Sequence, residues 1–403
     1  MWLSSVFLSA LLTSHVHGRA GPLIQEPLKP ASSHGNLVLK DDLLAWHANL
    51  TSIESITYNE REAGDWLVHS LQSQGYTIET QSVDADACRF NVYAWPGATR
   101  ETKLLVSGHY DTVPPFYPYQ HNGTTISGRG SVDDKASLAA QLVAVNELIA
   151  ADRLSKDDVA LLFVVGEEVG GDGMREANAL GLRPNIIVFG EPTEGKLVSG
   201  HKGNLGLQIH AKGKAAHSGY PWLGRSANEV LTRSLAALME LAPNLPRSEK
   251  YGVTTVNLGR IEGGVAANVV AEKAEANIAI RIAAGSPEGI RAEITKAVHL
   301  ALESFVDDET RMEDIVDLQF GSAGYGPVEI DHDVPGFETM TVNYGTDIPW
   351  LEKTVEGQKR YLYGPGSILV AHSDHEALTG EELYGAVEGY KKIIEHALEQ
   401  LEA

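Results

Sequence analysis

Three stretches of this chain are apolar almost without interruption, and each is cut off by a short polar cluster. Lys103–Ser107 (KLLVS) runs into His109-Tyr110-Asp111, Val159–Val165 (VALLFVV) into Glu167-Glu168, and Asn185–Phe189 (NIIVF) into Glu191-Pro192. A strand exposed on one face alternates apolar and polar residues, whereas a strand covered on both faces reads as a continuous apolar run. Between these runs lie segments with helical spacing, such as Lys135–Ile149. Strands alternating with helices predict an α/β domain with a mixed, mostly parallel sheet flanked by helices. In such sheets the ligand crevice lies at the carboxyl ends of the strands, where these polar clusters fall.

Asp41–Leu50 and Asn59–Gln74 also carry helical spacing, and Gly75 supplies a stop. After Gly200 the pattern changes. Gly206–Ala211, Thr254–Ile261, Ala274–Ile282 and Ile315–Phe320 read as strands, with helices over Arg225–Leu241 and Pro287–Phe305. That order, β-α-β-β-α-β, predicts an inserted α+β unit with four strands and two helices on one face. Tyr344 to Ala403 returns to the first pattern and ends in an amphipathic helix over Gly380–Leu401. The expected organisation is a leader over 1–18, a linker or pro-segment over 19–35, and a catalytic domain over 36–200 and 324–403. That domain is interrupted by the insertion over 201–323.

Charge excludes one class of function. Asp and Glu number 54 against 32 Lys and Arg, a formal net charge of −22. Such a surface repels phosphate backbones and anionic lipid, which argues against a nucleic-acid or membrane partner. Cys88 is the only cysteine in the sequence, so no intramolecular disulfide forms. Trp2–Thr13 (WLSSVFLSALLT) is apolar, shorter than the ~20 residues a bilayer span needs, and leads into small residues at Gly18 and Ala20. This predicts a secretory signal, although no Lys or Arg precedes it. Asn49-Leu50-Thr51 and Asn122-Gly123-Thr124 are N-glycosylation sequons, consistent with a secreted or vacuolar protein.

The polar clusters carry the chemistry. On extended backbone, His109 and Asp111 face the same way, so the carboxylate can fix the imidazole tautomer. Gly128-Arg129-Gly130-Ser131-Val132-Asp133-Asp134-Lys135 runs into a helix. Alone, its aspartates read as helix caps, and no glycine pattern of a dinucleotide-binding loop is present. Adjacent Glu167 and Glu168 beyond the most apolar strand are costly unless solvated, protonated or bound to a cation. A last cluster, Ala371-His372-Ser373-Asp374-His375-Glu376, lies near the C-terminus. Histidines and carboxylates converging at strand ends form a hard-to-borderline metal site, suited to zinc, cobalt or manganese. A free carboxylate nearby serves as general base for a metal-activated water.

The order of these motifs, from about residue 40 to the C-terminus, resembles the acetylornithine deacetylase, succinyl-diaminopimelate desuccinylase, aminoacylase and glutamate carboxypeptidase family of zinc exopeptidases. The resemblance implies two zinc ions per subunit. His109 then corresponds to a ligand of one ion, with Asp111 orienting it and Glu191 as its acidic partner. Asp133 corresponds to the bridging aspartate, typically followed by a cis peptide bond. Glu167 matches the general base, Glu168 a ligand of the second ion, and His372 its partner, with His375 left open. The insertion resembles the family's lid and dimerisation domain. His217 in K-A-A-H-S-G matches the histidine that enters the active site, often from the other subunit, to stabilise the oxyanion. Asn268 in G-G-V-A-A-N, and Arg281, match positions that grip a substrate carboxylate.

The implied function is a secreted zinc carboxypeptidase acting on short peptides with a free C-terminal carboxylate, as a homodimer. An N-acyl-amino-acid amidohydrolase shares the same machinery, and Phe189-Gly190-Glu191-Pro192-Thr193 favours that branch. A non-catalytic binding module would be expected to have lost at least one of the five ligand positions or Glu167. None is lost.

Overall fold

Each residue of a strand faces opposite to its neighbours, so a run apolar at every position must serve two cores at once. The computed structural model describes residues 37–84, 88–322 and 324–402, and within them this is what the strands do. The predicted leader and the linker or pro-segment lie outside the described residues. Strand Val159–Val164 sends Leu161 and Phe163 into one apolar cluster, and Ala160, Leu162 and Val164 into another. Leu104–His109 and Ile186–Gly190 divide the same way, with Val106 and Val188 on one side and Leu105 and Ile187 on the other.

The main sheet has six strands in the order Thr77–Asp84, Arg89–Trp95, Val159–Val164, Leu104–His109, Ile186–Gly190, Lys359–Tyr363. Arg89–Trp95 runs antiparallel to both of its neighbours, Thr77–Asp84 and Val159–Val164, and the remaining neighbours are parallel, so the sheet is mixed and mostly parallel. One face packs on helices Leu37–Ser52, Arg61–Ser73, Lys135–Ala150 and Gly380–Glu402, from which Leu50, Leu67, Leu142 and Ile393 join the core. The other face is covered differently from the expectation of helices alone. Short helix Asp172–Ala177 lies there together with a three-stranded sheet of Val328–Glu329, Leu197–His201 and Thr339–Val342. The edge strand Thr77–Asp84 (TIETQSVD) escapes sequence reading because most of it is polar and half-exposed.

The insertion folds as its pattern predicts. Its four strands run in the order Thr255–Gly263, Lys273–Ile282, Gly203–Lys212, Val316–Phe320, with every neighbouring pair antiparallel. Helices Ala227–Leu241 and Pro287–Leu302 bury Leu231, Leu238, Ile290 and Ile294 against Leu205, Leu207 and Ile209, a core of its own. Strict alternation along Gly203–Lys212 leaves one sheet face to that core and the other to solvent. Both helices begin at a serine cap: Ser226 Oγ accepts the Glu229 N–H at 3.3 Å, and Ser286 Oγ accepts the Gly289 N–H at 3.2 Å. Each cap stabilises its helix by about 1 kcal/mol.

Parallel register sets the functional end of the main sheet. His109 pairs with Val164 and Tyr363 with Gly190, so the loops starting at Gly166, Glu191 and Gly364 emerge side by side.

Candidate metal centre and active site

His109 closes its strand with the ring 1% exposed, and both ring nitrogens are engaged. Nδ1 donates to the Asp111 carbonyl at 3.1 Å and lies 3.4 Å from Asp111 Oδ1. That arrangement leaves Nε2 facing Asp133 Oδ1 at 3.1 Å. Asp111 does more than orient the ring. Its carboxylate also accepts the Thr57 hydroxyl at 2.8 Å and the backbone N–H groups of Glu167 and Glu168 at 3.2 and 3.4 Å. One buried carboxylate thereby sets the imidazole and the acidic turn against each other.

Asp133 stands between two histidines. Its Oδ1 faces His109, and its Oδ2 lies 3.2 Å from His372 Nε2. The Asp133–Asp134 peptide bond is cis. The carboxylate of Asp134 turns inward, against the ends of two interior strands, where Gly108 and Gly190 make room: a Cβ at Gly190 would meet Asp134 Oδ2 at 2.7 Å. Glycine immediately before His109 and Glu191 is thus a close-approach requirement.

His372 also faces Glu168, with Nε2 2.9 Å from Oε2. Two constellations result. His109, Glu167 and Glu191 each present a ligand atom, all within 4.8 Å of one another, and so do Asp133, Glu168 and His372. His375 joins neither and instead pairs with Asp374 at the surface, its Nδ1 2.9 Å from Oδ1. Glu167 shares this group with the expected ligand Glu191, so proximity to His109 does not distinguish base from ligand.

The electrostatics call for cations. Burial pushes the carboxyls of Glu167 and Glu191 well above the usual range, and neighbouring carboxylates add to the effect. Burial also works against Asp133, but hydrogen bonds from His109 and His372 outweigh it and hold the group low. Asp133 and Glu168 raise His372 to about 10. Among the described residues no Lys or Arg forms an ion pair with Glu167, Glu168 or Glu191. A buried anionic cluster that, among the described residues, is ion-paired only by imidazoles has the donor set and charge deficit that divalent ions complete. The residues fit the metal.

A cleft of about 340 Å³ opens over this cluster. Its walls include Arg281 and Asn204 from the inserted sheet, and Tyr325, Tyr344, Thr346 and Trp350 from the segment that follows. Tyr325 and Trp350 pack edge to face at 5.0 Å, and Arg175 lies 3.6 Å above the Trp350 ring. Thr346 donates to buried His201 at 3.0 Å, and burial pushes that imidazole down to about 4. Asp347, buried beside them, is raised to about 7 by burial. Beyond Arg281, none of these residues carries a local sequence signal. Tyr325, Tyr344 and Thr346 sit in irregular segments that only the fold brings to the metal cluster.

His217 and Asn268 are not in this cleft. They lie on two adjacent exposed loops of the insertion, joined by a bridge between His217 and Val269 and by the Ser218 N–H donating to the Asn268 carbonyl at 3.0 Å. The sequons also differ. Asn49 lies inside helix Leu37–Ser52 with Thr51 fully buried, whereas Asn122 is exposed at the turn between Gln120–Asn122 and Thr125–Ser127.

Comparison with known proteins agrees with this geometry. The family description "Peptidase dimerisation domain" matches residues 199–305, and "Peptidase family M28" matches residues 91–181. A "Probable carboxypeptidase" of Aspergillus terreus is 47% identical over 395 residues, covering 91% of this chain and 89% of the relative. The chain belongs to the M20-type family of zinc exopeptidases. Two solved structures share its fold. A tripeptidase from Staphylococcus aureus superposes with a TM-score of 0.72 at 21% identity, covering 90% of this chain and 99% of its own. An M20 family metallo-carboxypeptidase from Sulfolobus solfataricus gives 0.70 at 17% identity, covering 89% and 99%. As a metallopeptidase of this family the chain works with a divalent metal.

Proposed function

We propose that this protein is a secreted or vacuolar zinc carboxypeptidase that releases C-terminal residues from short peptides, acting as a homodimer. The observation that carries the substrate reading is Arg281. It opens into the same cleft as both carboxylate–histidine constellations, and among the described residues no carboxylate pairs with it. A planar guanidinium left unpaired in a cleft is suited to bidentate capture of a substrate carboxylate.

In this reading His109, Glu191 and Asp133 would hold one zinc ion, and Glu168, His372 and Asp133 a second. When bound, zinc polarises the scissile carbonyl and makes water acidic enough to attack it near neutral pH. Glu167, fixed by its backbone bond to Asp111, takes the proton of the attacking water and returns it to the leaving nitrogen. Arg281 and Asn268 hold the free α-carboxylate, and His217 donates to the developing oxyanion. The domain division at 36–200, 201–323 and 324–403 belongs to the same proposal: the insertion is a lid whose closure brings its loops to the cleft.

Replacing the arginine tests this. Arg281→Met is expected to lower kcat/KM for peptides with a free C-terminus roughly 10²-fold, from the loss of charge-assisted hydrogen bonds. Peptide amides, slow in both proteins, are expected to change less than about threefold. Equal losses on both substrates would remove Arg281 from carboxylate recognition.

Secretion is supported by the leader and by the accessible Asn122 turn. Protein expressed through a eukaryotic secretory pathway is expected to lose mass on treatment with an N-glycosidase. Asn122→Gln should eliminate that shift and Asn49→Gln should leave it. Secreted protein of unmodified mass would contradict the glycan assignment.

A further inference from the structure

Behind the metal-facing surface lies a buried ion pair that the mechanism does not use. Arg129 Nη1 is 2.6 Å from Glu376 Oε2, both side chains are 2% exposed, and the two residues lie 247 apart in the chain. Replacing such a pair with apolar residues is often neutral or stabilising, so its presence is not explained by stability alone.

Its remaining hydrogen bonds include one to the main chain of each of two members of the second constellation, Asp133 and His372. Glu376 Oε1 accepts the backbone N–H of Val132 at 3.0 Å and of Asp133 at 3.3 Å. Arg129 Nη2 donates to the backbone carbonyl of His372 at 3.3 Å, and Nε to the Pro115 carbonyl at 3.2 Å. The Glu376 carbonyl accepts the Ser131 hydroxyl at 3.3 Å. His372 itself is held at φ 63°, a left-handed backbone that a non-glycine residue adopts only when its surroundings impose it. Asp133 and His372 are therefore gripped by their main chains from one shared source, and their side chains meet 3.2 Å apart.

We propose that Arg129 and Glu376 are positioning residues that set the separation of Asp133 and His372, and so the affinity of the second metal position. The inference rests on the two-metal reading above. His109 and Glu191 stand on strand ends that the pair does not touch, so the first position depends on it far less. Asp133 is common to both, but its Oδ1 is additionally held by His109.

The test is a zinc titration of the folded full-length protein against a competing chelator, which resolves two dissociation constants without any substrate. Glu376→Asp keeps the charge but withdraws the carboxylate by one methylene. Arg129→Lys keeps the charge but loses the planar fork, and serves if the first variant fails to fold. Melting of the metal-free proteins establishes which variants are folded. In either variant one site, the same one that Glu168→Ala depletes, is expected to lose 10- to 100-fold in zinc affinity, the usual consequence of disturbing a residue behind a ligand. The other site should change less than about threefold, and the double variant should be no worse than the poorer single one. Equal weakening of both sites, or no weakening of either, overturns the proposal. Wild-type protein that fails to bind two zinc ions would instead overturn the metal-centre reading beneath it.

Discussion

Glu167→Ala is expected to reduce peptide hydrolysis about 10²–10⁴-fold while the protein still binds two zinc ions, because a general base contributes by moving a proton and not by holding metal. The control is Glu168→Ala. Glu168 shares its constellation with Asp133 and His372, facing the latter at 2.9 Å, so its loss should deplete the second zinc. Comparison of metal content in the two variants is needed because Glu167 is within ligand distance of His109 and Glu191. Zinc loss in Glu167→Ala matching that in Glu168→Ala would make Glu167 a ligand. Full activity with full zinc would remove it from the mechanism.

The second large effect is expected at a residue outside the cleft. His217→Ala should lower kcat about 10²–10³-fold, the usual loss on removing one oxyanion donor. In the isolated chain His217 sits on an exposed loop of the insertion, its Nδ1 accepting the Gly219 N–H at 3.0 Å, and it does not line the metal-bearing cleft. If the histidine serves the partner subunit, mixing inactive His217→Ala with inactive Glu167→Ala restores activity. Random exchange makes half of the dimers mixed, each with one complete site, so recovery should approach about a quarter of the wild-type value. Verified exchange with no recovery would place His217 in its own subunit's site or remove its role.

The legible parts of this protein are those encoded locally. Leu104–His109, Val159–Val164 and Ile186–Gly190 announce a two-faced sheet because each residue type reports its own burial. Their polar ends announce the site because charge at the end of an apolar strand needs a reason. The motif order then identifies His109, Asp133, Glu168, Glu191 and His372, and the fold brings all five together with Glu167. Of the two histidines that spacing left open, His372 faces Asp133 and Glu168 whereas His375 turns to Asp374.

What could not be read is encoded by distance in the chain. Arg129 and Glu376 meet across 247 residues, and neither position has a periodicity that would mark it as buried. Tyr325, Tyr344 and Trp350 come from irregular backbone after the insertion, where neither a strand period nor a helix period exists to place them. The three-stranded sheet under the main one is built from strands of two, five and four residues, too short for pattern to register.

The central claim, that the metal cluster and Arg281 together make a carboxypeptidase, is tested most directly by amino-acid release from two matched substrates. Zinc-loaded protein is given a blocked dipeptide, and separately the same C-terminal residue carrying only an N-acetyl group. Faster release from the dipeptide is the expected result. Faster release from the acetyl compound would contradict the account and move the protein to the N-acyl-amino-acid amidohydrolases.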